Sequence, residues 1–260
     1  MNGIIDLTAW QVALAYLFVL LVLAIVRMRG INREKEILIS SVRMTLQLIL
    51  VGYILVYLFD YPNPWLTAGI VLCMEAFAVY TVLNRFNDQL VKPLKYIIAI
   101  AMSAGTLACL AYFLLVVVRL TPWYAPQYFI PIAGMLIGNS MTGVVLGLKL
   151  LLDGMTTQKA LVEEALILGA TPRAASRNII NNAFDSAILP TINSMIGMGV
   201  VFLPGMMTGQ ILAGIAPITA IAYQIAIMLG ILGAVALTVI IMLQLGYRTF
   251  FNQEDQLCSR

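Results

Sequence analysis

The chain has 260 residues, of which 62% are hydrophobic and only 10% are charged, and its mean hydropathy is +0.96. Soluble globular domains are roughly 45–50% apolar and about 25% charged, so the composition excludes that class and predicts a membrane protein. The sequence has no histidine, which removes the commonest metal ligand and general base. Its widely spaced cysteines, Cys73, Cys109 and Cys258, form neither a metal-binding pair nor a disulfide framework.

Seven apolar stretches are long enough to cross a membrane as helices, which takes about 20 residues each. These stretches are residues 8–26, 37–59, 64–83, 94–118, 128–148, 187–213 and 218–245. We therefore predict an all-α, polytopic membrane protein with about seven transmembrane helices, forming a single domain over residues 1–260.

The positions of lysine and arginine predict the orientation of the chain. Basic residues such as Arg29, Lys92, Lys149 and Arg248 fall on one side of the predicted spans, whereas Arg119 falls on the other. Because basic residues accumulate in cytoplasmic loops, we expect the amino terminus outside and the carboxyl terminus in the cytoplasm. The first apolar stretch precedes its basic residues, so we expect no cleavable signal peptide.

A polar segment of about residues 149–189 interrupts the apolar sequence. Residues 157–168 are rich in helix formers, and Gly169 supplies a helix stop. Thr171 and Pro172 are a helix start, with a capping hydroxyl followed by proline at the first helical position. We predict two helices joined by a tight corner on the cytoplasmic side, the second amphipathic and lying along the membrane surface. An ordinary helical loop between spans is the alternative.

The sixth predicted span is unusually long. Residues 187–217 carry no charge, and one continuous helix of that length would measure about 46 Å, against a hydrocarbon core of about 30 Å. Pro204 and Gly205 predict a break, and broken helices are favoured binding places because freed backbone groups line a cavity. The candidate residues of this gate or path are Met195, Met198, Pro204, Gly205, Met206, Met207 and Gln210.

The methionines of this region allow two interpretations. Met195, Met198 and Phe202 are spaced i, i+3, i+7, which places them on one face of a helix. A methionine stripe at that spacing usually packs rather than binds a ligand, and thioethers suit soft metals better than iron. We therefore favour a hinge or gate, and the sequence identifies no metal site.

Polar residues within the predicted spans are further candidates for a substrate path. Glu75 is near the middle of one span, and an acid inside the membrane suggests an ion path, with a hydrogen-bonded structural carboxyl as the equal alternative. Asn139 and Asn193 are further candidates for the substrate path. Two pairs of glycines predict close helix contact, within the chain or across a dimer: Gly134 and Gly138, and Gly143 and Gly147.

Residues at the corner resemble a known motif. Glu163, Glu164 and Ala165, followed by Gly169 and Ala170, resemble the "EAA" loop of ABC importer permeases. In that class, a short coupling helix docks into a groove of the ATP-hydrolysing subunit. The resemblance implies that the corner docks onto an ATP-hydrolysing subunit.

Longer motifs extend the resemblance over most of the chain. They are Pro131–Met135, Gly138–Asn139, Leu168–Pro172, Leu189–Thr191, Leu203–Met207, Ala213–Ile215 and Tyr223–Ile225. Together they resemble the FetB-type iron-export permease family, and plant aluminium-tolerance permeases look like relatives.

This resemblance implies a permease subunit of an ABC-type transporter in the bacterial inner membrane, exporting iron or another metal or small solute. It implies a homodimer with separate ATPase subunits, coupled through Glu163, Glu164, Gly169, Ala170, Thr171, Pro172 and Arg173. ATP and Mg would bind to the partner, since this sequence has no G-x-x-x-x-G-K-[ST] phosphate loop. We expect no enzymatic activity in this chain and no nucleic-acid partner. An ion-driven secondary transporter or channel using Glu75 remains the alternative.

Overall fold

The computed structural model describes residues 7–258. The chain divides into two compact units, one formed by Met1–Pro62 with Leu212–Gly214 and the other by Asn63–Ile211 with Ile215–Arg260. Helices account for the regular structure of the described residues, which otherwise contain two isolated β-bridges.

The first unit contains α1 (Ala9–Met28) and α2 (Glu34–Asp60). The hydroxyl of Tyr16 on α1 forms a hydrogen bond with that of Thr45 on α2. The side chains of both helices are mostly exposed, as expected for apolar helices that face lipid. The two helices confirm the first two predicted spans.

The remaining helices follow in chain order. They are α3 (Pro64–Arg85), α4 (Lys92–Tyr112, continued by a π-helical turn, Phe113–Val118), α5 (Pro126–Thr157), α6 (Lys159–Ile167), α7 (Pro172–Ala175), α8 (Arg177–Gly197), α9 (Gly205–Leu212) and α10 (Pro217–Gly246). Local sequence explains several starts: the side chain of Asn63 caps α3 by accepting from the Trp65 N–H at 2.9 Å. Proline occupies an early position of α3, α4, α5, α7 and α10, where its missing N–H costs nothing.

The core of the second unit is centred on α5, which packs against α8 and α10. A Cβ added at Gly143 would lie 2.8 Å from a methyl group of Val235, and one at Gly147 would lie 3.3 Å from the Cβ of Ala187. Only glycine fits the first of these approaches without displacing a neighbour. The predicted close contact at Gly143 and Gly147 is confirmed, and it occurs within the chain.

The other predicted pair of glycines behaves differently. A Cβ added at Gly134 would lie 3.1 Å from the terminal methyl group of Met74, but one at Gly138 would meet nothing within 4 Å. The prediction of close contact within the chain is therefore wrong at Gly138.

Six helices among residues 7–258 are long and apolar enough to span a membrane: α1, α2, α3, α4 with its π-helical turn, α5 and α10. The remaining predicted span, 187–213, corresponds to the end of α8, an irregular segment over 198–204, and α9. The prediction of about seven spans agrees with this arrangement, in which one span is broken.

The predicted break is present, but it begins earlier than Pro204. Helix α8 ends at Gly197, and Gly199 adopts a left-handed φ of +86° that favours glycine. The Gly199 N–H donates to the Phe202 carbonyl at 2.9 Å and closes the turn. The predicted helical face of Met195, Met198 and Phe202 is therefore wrong, because only Met195 lies in the helix.

Helix α5 is longer than its predicted span of 128–148. It continues to Thr157, and its 32 residues correspond to about 48 Å. This exceeds a hydrocarbon core of about 30 Å. Residues 149–157 of the predicted polar segment therefore continue α5 beyond its predicted span.

Alanine at Gly105 should destabilise the fold, because its Cβ would lie 2.8 Å from the Cα of Thr238 and closer still to the Thr238 hydroxyl. Overpacking of this kind costs about 1–3 kcal/mol. We expect a lower midpoint of thermal unfolding in detergent for Gly105→Ala. Gly138→Ala is the matched control, since an added Cβ there meets nothing within 4 Å. Equal midpoints for the two variants would show that α4 and α10 are not in this contact.

Candidate coupling corner and polar groups of the membrane helices

The corner, residues 168–172, is closed by a glycine cap. Gly169 has φ +88°, the Ala170 N–H donates to the Ala165 carbonyl at 2.9 Å, and the Gly169 N–H donates to the Leu166 carbonyl at 2.9 Å. This pair of bonds is the Schellman motif, which needs a left-handed residue just past the helix. The predicted helix stop at Gly169 is confirmed.

The helix after the corner begins as predicted. The hydroxyl of Thr171 accepts from the Ala174 N–H at 3.3 Å, and Pro172 is the first helical residue. The helix is interrupted once, at buried Ser176, whose hydroxyl donates to the Pro172 carbonyl at 2.7 Å. The single predicted helix is therefore α7 followed by α8.

Apolar side chains on α6 and at the corner point away from the protein. Val162 is buried and Leu166 is partly buried against the core, so these two residues hold α6 in place. Leu161, Ile167 and Leu168 are 64%, 84% and 88% exposed. Neighbouring large apolar side chains that remain this exposed indicate a contact surface.

The charged residues that flank the corner are also accessible. Glu163 pairs with Lys159 one turn earlier at 3.7 Å, and both side chains are nearly half exposed. An exposed pair of this kind is worth about 0.2–0.5 kcal/mol, so it does not prevent Glu163 from contacting a partner. Glu164 and Arg173 are exposed.

A second element adjoins the corner and was not predicted from the sequence. After α10, a 3₁₀ turn (Tyr247–Phe250) leads into the tail turn, residues 251–257, whose ends pair in the β-bridge between Phe251 and Leu257. The Asn252 side chain accepts from the backbone N–H groups of Glu254 and Gln256 at 2.9 and 2.8 Å. The signal that could have revealed this element is the set of apolar residues that continues beyond the last span.

The corner and the tail turn form the walls of two clefts. A cleft of about 410 Å³ lies between α6 and the tail turn, with Glu163 and Ile167 on one wall and Glu254 and Asp255 on the other. A second cleft of about 490 Å³ lies on the other side of the corner, between the start of α7 and the chain after α10. The tail turn is therefore part of the same surface as the corner.

Glu75 is buried between α3 and α4. Its carboxyl group accepts from the Thr106 hydroxyl at 2.8 Å, and that hydroxyl also lies 2.7 Å from the Met102 carbonyl oxygen. The other carboxyl oxygen of Glu75 has no hydrogen-bond partner in the described part of the chain. One hydroxyl hydrogen cannot fully serve two acceptors. A proton on Glu75, donated to Thr106, would satisfy this chain of bonds.

The other predicted path residues do not join Glu75. Asn139 is exposed on α5 and donates to its own Met135 carbonyl at 2.8 Å. Asn193 is exposed on α8, and Thr142 is exposed one turn beyond Asn139. The structure therefore separates a buried acid from exposed polar residues on α5 and α8.

The residues around the break also have separate environments. Pro204 and Gly205 form the start of α9, where the Thr208 hydroxyl donates to the Pro204 carbonyl at 3.0 Å. Met207 is buried, and Met195, Met198 and Met206 are partly buried against the core.

Two glutamines near the break have incomplete hydrogen bonding. The Met198 sulfur lies 3.8 Å from the amide nitrogen of Gln224. The side-chain carbonyl oxygens of Gln210 and Gln224 are buried without a partner among residues 7–258. The described residues contain no group of three or more cysteines and carboxylates that could hold a metal ion.

Comparison with known protein families matches residues 9–251 to the family described as "Uncharacterised protein family (UPF0014)". The chain belongs to this family. It is 36% identical over 253 residues to the probable iron export permease protein FetB of Escherichia coli, covering 97% of this chain and 95% of that protein. It is 36% identical over 245 residues to Protein ALUMINUM SENSITIVE 3 of Arabidopsis thaliana, covering 94% and 88%. It is 33% identical over 247 residues to the UPF0014 membrane protein YjkA of Bacillus subtilis, covering 95% and 97%. No solved structure matches the chain.

Proposed function

We propose that this chain is the permease subunit of an ABC-type exporter that moves iron, or another metal ion or small solute, across the bacterial inner membrane. The observation that carries the proposal is the exposed apolar corner, which lies on a capped pair of helices and leads directly into the broken span. The relative named as a probable iron export permease supports the direction and the cargo. The distribution of lysine and arginine supports an amino terminus outside and a cytoplasmic corner.

The partner in this proposal is a separate ATPase subunit that binds ATP and Mg. Its groove receives Ile167 and Leu168, and Glu163, Glu164 and Arg173 contact its rim. Helix α8 starts five residues after the corner and ends at the break, so a displacement of the corner is carried along α8. ATP-driven closure of two ATPases would thereby open and close the path.

We also propose that two copies of the chain pair in the membrane. Asn139 and Thr142 are exposed on α5, and Asn193 is exposed on α8. Polar groups facing hydrocarbon are costly, so these faces are expected to contact a second copy or to line a water-filled path. Both arrangements place the path next to the interface between the copies.

Replacing Gly169 with valine should uncouple the permease from its ATPase. A β-branched residue at φ +88° costs about 1–2 kcal/mol, which corresponds to a roughly 5- to 30-fold loss of the docked geometry. We expect a comparable fall in the ATPase activity stimulated by permease in proteoliposomes. Reversing the charge at Glu163 and Glu164 with lysine should have the same direction of effect.

Gly233→Val is the control for Gly169→Val, because Gly233 lies on α10 with nothing within 4 Å of an added Cβ and no left-handed φ. It should stimulate like the wild type. The charge-reversal variant should retain the wild-type unfolding midpoint in detergent, and Gly169→Val should keep the wild-type helix content, since its strain is confined to the corner. Normal stimulation by both corner variants would remove the corner from the docking surface.

Cross-linking tests the second copy. In a chain whose native cysteines are replaced by serine, Asn139→Cys should give covalent dimers in membranes with a short reagent that joins two thiols. Ile100→Cys, exposed on α4, should remain monomeric because that helix faces lipid in the proposed dimer. Dimers from Ile100→Cys and none from Asn139→Cys would assign the interface to a different face.

The second candidate function is an ion-driven transporter or channel, and the hydrogen-bond arrangement at Glu75 favours it. A carboxyl group whose chain of bonds through Thr106 is complete only when it carries a proton could carry that proton between α3 and α4.

Glu75→Gln separates the two candidates, because glutamine keeps an oxygen for Thr106 but cannot exchange a proton. We expect near-normal metal export in a deletion strain, since Glu75 is 3% exposed and lies away from the exposed polar faces. Loss of export by a folded Glu75→Gln variant would instead support the ion-driven function.

A further inference from the structure

We propose that the tail turn is a second docking element for the ATPase, so that the partner inserts into the cleft between the corner and the tail turn. This inference rests on the proposed function and extends it, because the coupling surface then has two walls from distant parts of the chain. The partner surface that fits this cleft is an apolar projection flanked by lysine or arginine.

The tail turn is held in a fixed position. Tyr247 and Phe250 before it are buried, and Leu257 at its end packs against the core. Phe251 contacts the ring of Tyr247 edge-on, with centroids 6.5 Å apart. The Cys258 N–H donates to the Phe250 carbonyl at 2.8 Å. The buried aromatic residues and the paired ends therefore hold the loop against the bundle.

Hydrogen bonds inside the tail turn determine which of its side chains remain available to a partner. Asn252 uses its backbone N–H to donate to the Gln256 carbonyl at 2.9 Å, while its side-chain oxygen receives the two N–H groups described above. These bonds satisfy the loop internally. Glu254 and Asp255 make none of them through their carboxylates and are exposed at its tip.

The charges that line the cleft indicate which kind of surface binds there. Glu163 and exposed Ile167 lie on one wall, and Glu254 and Asp255 lie on the other. Lys159 pairs with Glu163. Arg173 and Arg248 line the neighbouring cleft, which Asp255 also borders. An anionic lipid surface would be repelled by three carboxylates, and a symmetric contact with the same cleft of a second copy would oppose like charges. A basic and apolar surface of a different protein is the complementary partner.

Site-specific photo-cross-linking tests the two walls separately in intact cells. The photoreactive amino acid benzoylphenylalanine replaces Leu168 in one variant, Glu254 in a second, and Asp88, exposed between α3 and α4, in a control. Captured proteins are identified by mass spectrometry, and the ATPase is recognised by a G-x-x-x-x-G-K-[ST] phosphate loop. We expect the same ATPase to be captured from Leu168 and from Glu254, and not from Asp88.

Each other outcome contradicts a defined statement. Capture of the ATPase from Leu168 alone would overturn the second docking element and leave the proposed function intact. Capture of a second copy of this chain from Glu254, or of no protein there, would also overturn the inference. Failure of both positions to capture an ATPase would overturn the proposed function together with the inference.

Charge reversal provides an independent measurement. The double variant Glu254→Lys, Asp255→Lys should bind the purified ATPase roughly 5- to 30-fold more weakly, as expected for a loss of one or two kcal/mol. Asp88→Lys is the control and should bind like the wild type. An unchanged Kd for a double variant with the wild-type unfolding midpoint would overturn the inference.

Discussion

The close packing of α5 against α8 and α10 is the interaction on which the rest of the second unit depends. Gly143 and Gly147 bring the helices together within the membrane bundle, and Gly154 continues the contact, since a Cβ there would lie 2.6 Å from a methyl group of Ile179. The beginning of α8 is therefore fixed to the carboxyl-terminal end of α5. A force applied at the corner reaches the membrane helices through this contact rather than through a flexible loop.

Glycines with left-handed φ lie on both sides of the α7–α8 pair: Gly169, at +88°, precedes α7, and Gly199, at +86°, follows the end of α8. Pro190 interrupts its hydrogen-bond ladder, and the Ser194 hydroxyl donates to the Pro190 carbonyl at 2.9 Å. Proline inside a helix is a common cause of a kink. In the proposed transporter, α8 transmits a movement of the corner to the broken span, and Pro190 lies between these two places.

The features predicted from the sequence are those that local chemistry determines. Gly169, Thr171 and Pro172 specify a helix stop and start within a few residues, so the corner could be located. The beginning of the break could not, because it depends on the turn closed by Phe202 and on the distant pairing of Met198 with Gln224. The tail turn was missed for a similar reason: it lies beyond the last predicted span, 218–245, and its position depends on tertiary packing.

The two candidate functions use different parts of the structure. A cargo ion needs several polar ligands. Asn139 and Asn193 are exposed on α5 and α8, whereas Glu75 is buried with one hydrogen-bond partner. Its single partner, Thr106, completes a chain of hydrogen bonds to Met102 when Glu75 carries a proton. A neutral carboxyl group with a structural role is consistent with burial. The broken span and the corner are joined by one helix, while Glu75 lies on α3, outside that connection. The geometry therefore favours a permease driven from the corner over one driven through Glu75.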